Sequence, residues 1–244
     1  MSHTSDAPGT GAARATRAEQ AGVAAQPSAE GHQPGIRQAQ KQQTRQALLD
    51  AGLRLLEHQN LSSLGLRELT REVGVSPAAF YRHFPDMAGL GVALVDEALG
   101  SLHDMVRAVL ADGADGSVPD VLIERTVAIT AAYVDEHRPH IRFIARERHG
   151  GVRTVREAIA AELGRFTDEV AAGLAAQPSS AGWSRAELHV LAGLYVDHMV
   201  MTAAELLEAP RDDTAVRRRI MHAARLRMRI ISVGRRHWLD PEPD

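Results

Sequence analysis

From Ile36 almost to the end, the chain keeps a helical period broken only by "NLSSLG", "VGVSP", "HFPD", "ADGADGSVP", "HRP", "RHGG", "AAQPSSAGWS" and "EAPRDDT". Between the breaks apolar residues recur at three- and four-residue spacing, and no stretch alternates convincingly enough for a half-buried strand. The pattern predicts an all-α chain of about nine helices. Pro77, Pro119 and Pro139 each fall at the expected first turn of a helix, where the missing N–H costs no helical hydrogen bond. Ser76 is placed to cap the helix that starts at Pro77, and Asp86 the next one, which would run through "MAGLGVALVDEALGSLHDMVRAVL". That helix is long enough to tie an N-terminal module to the rest and to carry coupling between the two.

Residues 1–35 are rich in Ala, Gly, Pro, Ser, Thr and Gln with almost no large apolar side chain, so a disordered tail is expected there. The expected organisation is that tail, a helical module over 36–85, a larger helical domain over 86–238, and a short tail over 239–244. There is no cysteine in the 244 residues, which excludes disulfides and thiolate metal sites. No uninterrupted apolar run approaches the roughly 18 residues that span a bilayer, and "MSHTSDAPGTGAARA" lacks the charged end and apolar stretch of a signal peptide. No membrane insertion and a cytoplasmic location are expected. With a formal net charge of -3, any contact with a polyanion must come from a local basic patch.

In "LRELTREVGVSPAAFYRHF", Leu66, Leu69 and Val73 share one helix face, and Val75, Phe80 and Phe84 are placed to close a small core over the turn. Gly74 stands where the chain leaves the first helix, and glycine accepts the left-handed conformation that a C-terminal cap often needs. Two short helices across a tight turn make a helix-turn-helix. The second, Pro77 to about His83, would span about 10 Å at 1.5 Å per residue, which suits a major groove. Its candidate DNA-facing residues are Ser76, Ala78, Ala79, Tyr81, Arg82 and His83. The alanines allow close approach to base edges, and Tyr81, Arg82 and His83 bring donors for phosphates or bases. Upstream, "IRQAQKQQTRQALLDAGLRLLEH" sets Arg37, Lys41 and Arg45 on one helix face, opposite Leu48, Ala51 and Leu55. A basic stripe of that kind is an expected phosphate contact. Spacing alone is equally met by a structural helical hairpin with a solvated basic face.

The run "LRELTREVGVSPAAFYRHFPDMAGL" closely resembles the DNA-binding signature of TetR-type transcriptional regulators, over about residues 36–90. Two positions depart from that pattern: Thr70 replaces the usual alanine, and Met87 replaces a lysine that commonly touches phosphate. Further on, "FYRHFPDMAGLGVALVDEA", "HIRFIARERHG" and "RLRMRIISVGRRHW" are similar to the FabR and DesT type repressors of unsaturated fatty-acid synthesis, which also lack that lysine. The resemblance implies an all-helical homodimer on a palindromic double-stranded DNA operator. Each subunit would pair a three-helix DNA-binding module with a ligand-binding and dimerisation domain. It also implies a repressor of fatty-acid metabolism genes that needs no cofactor, is nucleoid-associated when bound to DNA, and responds to a long-chain acyl-CoA or acyl-carrier-protein thioester.

Under that resemblance, Leu102, Met105, Val106, Val109, Val127, Ile129, Phe143 and Ile144 are candidates for an acyl tunnel. Arg142, Arg146, Arg148 and His149 in "RFIARERHGG" would then meet ligand phosphates at its mouth. The plainer reading is that the aliphatic residues are ordinary core and that Glu147, Glu136 and Asp135 pair with the arginines on a solvated face. The last two helical stretches carry wide apolar faces, including Leu191, Tyr195 and Met199 on one and Leu226, Ile230 and Val233 on the other. Faces so wide need partners on two sides, which a four-helix bundle between two subunits would supply. The arginines of "VRRRIMHAARLRMRI" read as the outer face of an amphipathic helix rather than a second nucleic-acid site.

An enzyme is not expected. No His-x-x-x-His pair, Gly-x-Ser-x-Gly or phosphate-binding glycine loop occurs, and His189 and His198 fall on opposite faces of one helix. No metal site is expected either. Two other functions remain compatible with the residues: a regulator of another pathway, such as efflux, with a different small hydrophobic effector, and a helical protein-interaction module.

Overall fold

The computed structural model describes residues 33–100, 102–114 and 119–239, in two units that divide between residues 40 and 41. The helices in chain order are α1 (Gln33–Leu55), α2 (Leu66–Val73), α3 (Pro77–Phe80), α4 (Met87–Gly100), α5 (Leu102–Ala114), α6 (Pro119–Glu136), α7 (Arg138–Glu147), α8 (Arg153–Ala175), α9 (Arg185–Glu208) and α10 (Thr214–His237). A single 3-10 turn, Pro178–Ser180, lies between α8 and α9. Of the first unit, residues 35–40 are exposed on the opening turns of α1. The class is all-α among the described residues. The count is one above the expected nine because the stretch expected as one long helix is described as α4 and α5, on either side of residue 101. The expected N-terminal tail lies outside the described residues as far as residue 32, and so do residues 240–244 of the expected C-terminal one.

Several helix ends follow from local chemistry. Gly74 takes φ 74° at the end of α2, and Val75 N–H reaches back to Thr70 O at 2.9 Å, closing the helix with groups that would otherwise lack partners. Ser76 Oγ accepts from Ala79 N–H at 3.2 Å, and Pro77 opens α3. Asp86 Oδ1 accepts from Gly89 N–H at 2.7 Å to start α4. Ser184 and Glu187 form a reciprocal capping box on α9.

Leu48, Leu49, Leu53, Leu69, Phe80 and Phe84 are buried together in the N-terminal module, with Leu66, Val73 and Val75 packed at their edge. Thr70 is buried too, its hydroxyl returned to Leu66 O at 2.9 Å. Met87 packs against the same core. The core does not stop at the module. Leu90, Leu94 and Val95 of α4 continue it to Phe143 and Ile144 of α7 and to Val155, Ile159 and Phe166 of α8.

The loop between α1 and α2 is held at one point by both α4 and α7. A methyl group at Gly91 would collide with the side chain of Leu61 and come within 2.6 Å of Val155 Cγ2, so only glycine lets these three segments meet. Glu147, 1% exposed, accepts the Leu61 N–H at 2.9 Å through Oε1. One residue earlier, Arg146 Nη1 donates to Leu56 O at 3.0 Å and Glu57 O at 2.9 Å, carbonyls at the C-terminal end of α1. Arg142 lies 3.8 Å from the Glu57 carboxylate.

In the C-terminal region α9 packs against α6, α7, α8 and α10, and α5 against α6 and α8. His103 of α5 stacks on Phe166 at 4.1 Å between the carboxylates of Glu162 (3.1 Å) and Glu169 (3.0 Å). Arg217 pairs with Asp135 at 2.6 Å, joining α10 to α6. Truncating Glu147 to Ala removes the acceptor of the buried Leu61 N–H and should cost about 1–3 kcal/mol, a fall of roughly 2–12 °C in Tm for a chain of this size. Glu147→Gln keeps an acceptor and should lose much less. Thermal unfolding of both variants checks this, and equal melting temperatures for Ala and wild type would show that the contact contributes nothing.

Candidate DNA interface and effector cavity

Tyr81, Arg82 and His83 extend α3 as a tightened turn, with Arg82 N–H bonded to Ala79 O at 3.2 Å and His83 N–H to Phe80 O at 2.8 Å. Phe80 is fully buried and holds the turn from beneath, and Tyr81 stands edge-on to it at 5.6 Å with its own ring 58% exposed. Ala78 and Arg82 are exposed, and Ala79 and His83 are half-buried. The Ser76 hydroxyl is engaged as the helix cap.

Lys41 and Arg45 bring α1 to the same place. The Arg45 guanidinium lies over the Phe84 ring at 4.9 Å, which holds its charge beside the turn. Lys41 is exposed. His83 registers the convergence: burial and then the charges of Lys41, Arg45 and Arg82 all pull its pKa below the ordinary value, so the ring is neutral at pH 7. Lys41, Arg45, Ala78, Ala79, Tyr81, Arg82 and His83 therefore share one local surface with a concentrated positive potential. Arg37 is exposed in the first unit. The sequence reading missed Arg67 and Arg71, exposed on α2 and without an ion pair among the described residues. Their i, i+4 spacing in "LRELTREV" was the available signal.

A cavity of about 820 Å³ opens among α5 to α10. Leu102, Met105 and Val106 line it, as do Val109, Ile129 and Ile144, and Arg148 and His149 reach it from the end of α7. Phe143 and Arg146 do not. Phe143 turns into the shared core, and Arg146 is committed to α1. The cause is helix phase, because residues two apart on α7 point to different faces. Val127 is likewise fully buried beside Ala224 rather than on the cavity wall. Asp135 pairs with Arg217, and Glu147 with the Leu61 N–H, rather than with the arginines of "RFIARERHGG".

The expected dimer residues divide. Leu226, Ile230 and Val233 are exposed on α10. Leu191 is buried between α8 and α9, and Tyr195 and Met199 line the cavity. On α9 the outward apolar residues are instead Val190, Leu194 and Met201, which are 67%, 53% and 51% exposed. This helix is apolar on every side, so its sequence does not reveal which side faces out. By length and composition it is the one described helix that could cross a bilayer, and it packs against four others. Among the described residues no three His, Asp or Glu side chains are placed to hold a metal ion.

A helix-turn-helix with a basic face, continuous with a helical domain around an apolar cavity, defines a DNA-binding protein with an effector-type domain. Residues 48–94 match the family model of bacterial regulatory proteins, tetR family. Solved structures share the fold. A protein from Mesorhizobium loti MAFF303099 assigned to the TetR-family regulators aligns with a TM-score of 0.60 at 11% identity, over 79% of this chain and 96% of that one. FadR from Bacillus subtilis, solved in complex with stearoyl-CoA, gives 0.59 at 10% identity over 78% and 98%. A protein from Rhodococcus sp. of the same assignment gives 0.53 at 20% identity over 76% and 98%. At these identities the structural likeness speaks for the fold. The match to the tetR-family regulators rests on residues 48–94, which hold the helix-turn-helix and the start of α4, and it supports a TetR-type DNA-binding role for that module.

Lys41→Ala should make the dependence of log K on log salt shallower by about 0.9, the share of one released counterion, without changing preference among sequences. Anisotropy on a nonspecific duplex at graded salt measures it. An unchanged slope would remove Lys41 from the phosphate contacts.

Proposed function

We propose that the protein is a homodimeric repressor of fatty-acid or lipid metabolism genes whose operator affinity is set by a long-chain acyl thioester in the cavity. The observation that carries this reading is the cavity itself: its walls are largely aliphatic, its volume suits a single elongated ligand, and Arg148 and His149 bring hydrogen-bonding groups to it. The fold shared with a regulator solved with stearoyl-CoA supports the acyl reading by analogy.

One recognition helix reads only a few base pairs, so a two-fold dimer on a palindrome is the simplest route to specificity. Exposed Leu226, Ile230 and Val233 on α10, with Val190, Leu194 and Met201 on α9, favour a self-complementary apolar interface there. For coupling, α7 adds to the route through α4. One face of α7 bears Ile144, Ala145 and Arg148 on the cavity, and the other holds α1 and the loop before α2 through Arg142, Arg146 and Glu147. A ligand that favours one position of α7 shifts the spacing of the two recognition helices.

Fluorescence anisotropy on the upstream intergenic DNA, titrated with saturated and unsaturated long-chain acyl-CoAs, tests the proposal. The expected result is tight, palindrome-dependent binding that at least one acyl-CoA changes by about 5- to 150-fold. Tight binding indifferent to every acyl-CoA would keep the regulator and discard the lipid effector.

A further inference from the structure

The cavity has a second polar pole that a thioester head group would not use. Arg235, in the last turns of α10, lines the wall with Gln177, Ser179, Tyr195 and Ser232. Its Nη1 donates to Gln177 Oε1 at 2.8 Å and its Nη2 to Ser180 Oγ. Nε is buried and has no partner among the described residues.

What sets Arg235 apart is that it combines partial burial with the lack of a counter-ion among the described residues. Arg217, Arg225, Arg227 and Arg229 on the same helix each reach a carboxylate, those of Asp135, Glu124, Glu205 and Asp120. Arg235 has only neutral oxygens around it among the described residues. Burial pulls its pKa below the ordinary arginine value, and the nearby Tyr195 hydroxyl offsets part of that pull. A guanidinium taken partly out of water is costly unless an anion joins it.

The two poles are far apart. Arg148 and His149 precede α8, and Gln177 and Ser180 follow it, so a helix of 23 residues separates them, about 34 Å at 1.5 Å per residue. The wall at this pole carries the half-buried Arg235, the hydroxyls of Tyr195 and Ser232, and the exposed Arg236. Arg235 is the more buried of the two cations, and it matches an anion with two acceptor oxygens and a single charge. A phosphate carrying nearly two charges would leave excess negative charge beside that one half-buried cation.

We propose that Arg235 and Tyr195 form a carboxylate-binding subsite, and that the cavity takes a free long-chain carboxylic acid with its head at this pole and its chain among the aliphatic residues of α5 and α6. The inference rests on the cavity being an effector site. It does not depend on DNA binding or on the thioester.

Direct binding of palmitate, methyl palmitate and palmitoyl-CoA to the full chain, below their aggregation thresholds, tests it. Trp183 and Tyr195 both pack against the cluster of Leu174, Leu188, Leu191 and Ala192, and the Trp183 ring lies 6.0 Å from that of Trp238, so tryptophan fluorescence reports on this end of the cavity. Palmitate should bind at least about tenfold more tightly than its methyl ester, and Arg235→Gln should weaken palmitate by about 10- to 100-fold while moving the ester far less. Tyr195→Phe should give a smaller loss, and Arg235→Lys, which keeps the charge, should retain part of the affinity. Equal affinity of wild type for acid and ester overturns the subsite even if no variant folds, and so does an Arg235→Gln protein that binds palmitate normally. Binding of palmitoyl-CoA with no preference for acid over ester overturns this inference alone. Failure of all three compounds to bind overturns the cavity reading with it.

Discussion

The structure depends on the contact at Leu61. The loop before α2 reaches the C-terminal region only because Gly91 presents no side chain to Leu61 and Val155, and because Glu147 offers a buried acceptor for the Leu61 N–H. Both conditions are demanding. A β-carbon at Gly91 would push the buried Leu61 and Val155 side chains out of their places, and a buried amide without an acceptor loses hydration with nothing in return. Meeting both joins three helical segments at one residue, so the orientation of α2 and α3 is referred to α4 and α7 together rather than to a single hinge.

That joint gives α7 its place between the two sites. A ten-residue helix has room for two working faces, and here residues one or two apart serve different ends: Phe143, Arg146 and Glu147 on the module and shared core, Ile144, Ala145 and Arg148 on the cavity. Close-packed interiors transmit displacement because they have no slack to absorb it. A small shift of α7 must therefore be accommodated at Leu56, Glu57 and Leu61, the residues that set where the helix-turn-helix sits. An element that touches both the cavity and the helix-turn-helix, which the proposed coupling requires, is present without a long chain of intermediaries.

Much of this was legible in the residues. Helix breaks were readable because Gly74, Ser76, Pro77, Asp86 and Ser184 act through local backbone chemistry that needs no tertiary context. The helix-turn-helix core was readable for a related reason, since Leu69, Phe80 and Phe84 sit close together in sequence and meet across one turn. Where reading failed, the missing quantity was rotational phase. On α9 every face is apolar, so Tyr195 and Met199 pass equally for interface and for cavity wall. On α7 the arginines form one charge run in sequence but split between α1 and the cavity. Arg235 carries no signal of its own in the sequence, and only the placement of Gln177 and Ser180 beside it separates it from the other arginines of α10.

Charge pairing sorts the basic residues better than charge density does. The chain has a net charge of -3, so attraction of a polyanion depends on where cations are left without acidic partners. On α10 Arg217, Arg225, Arg227 and Arg229 are matched with acids, while Arg218 and Arg219 on its opening turns and Arg235 and Arg236 on its last turns have no ion pair among the described residues. Around α3 the balance is reversed. Lys41, Arg67, Arg71 and Arg82 have no ion pair among the described residues, and Arg45 is held by an aromatic ring, which fixes the cation without cancelling its charge. Burial first, and then that uncancelled field, lower the pKa of His83. An acidic protein can thus present a duplex with a locally positive surface, whereas most of the denser arginine run of α10 is engaged in holding that helix against α6 and α9.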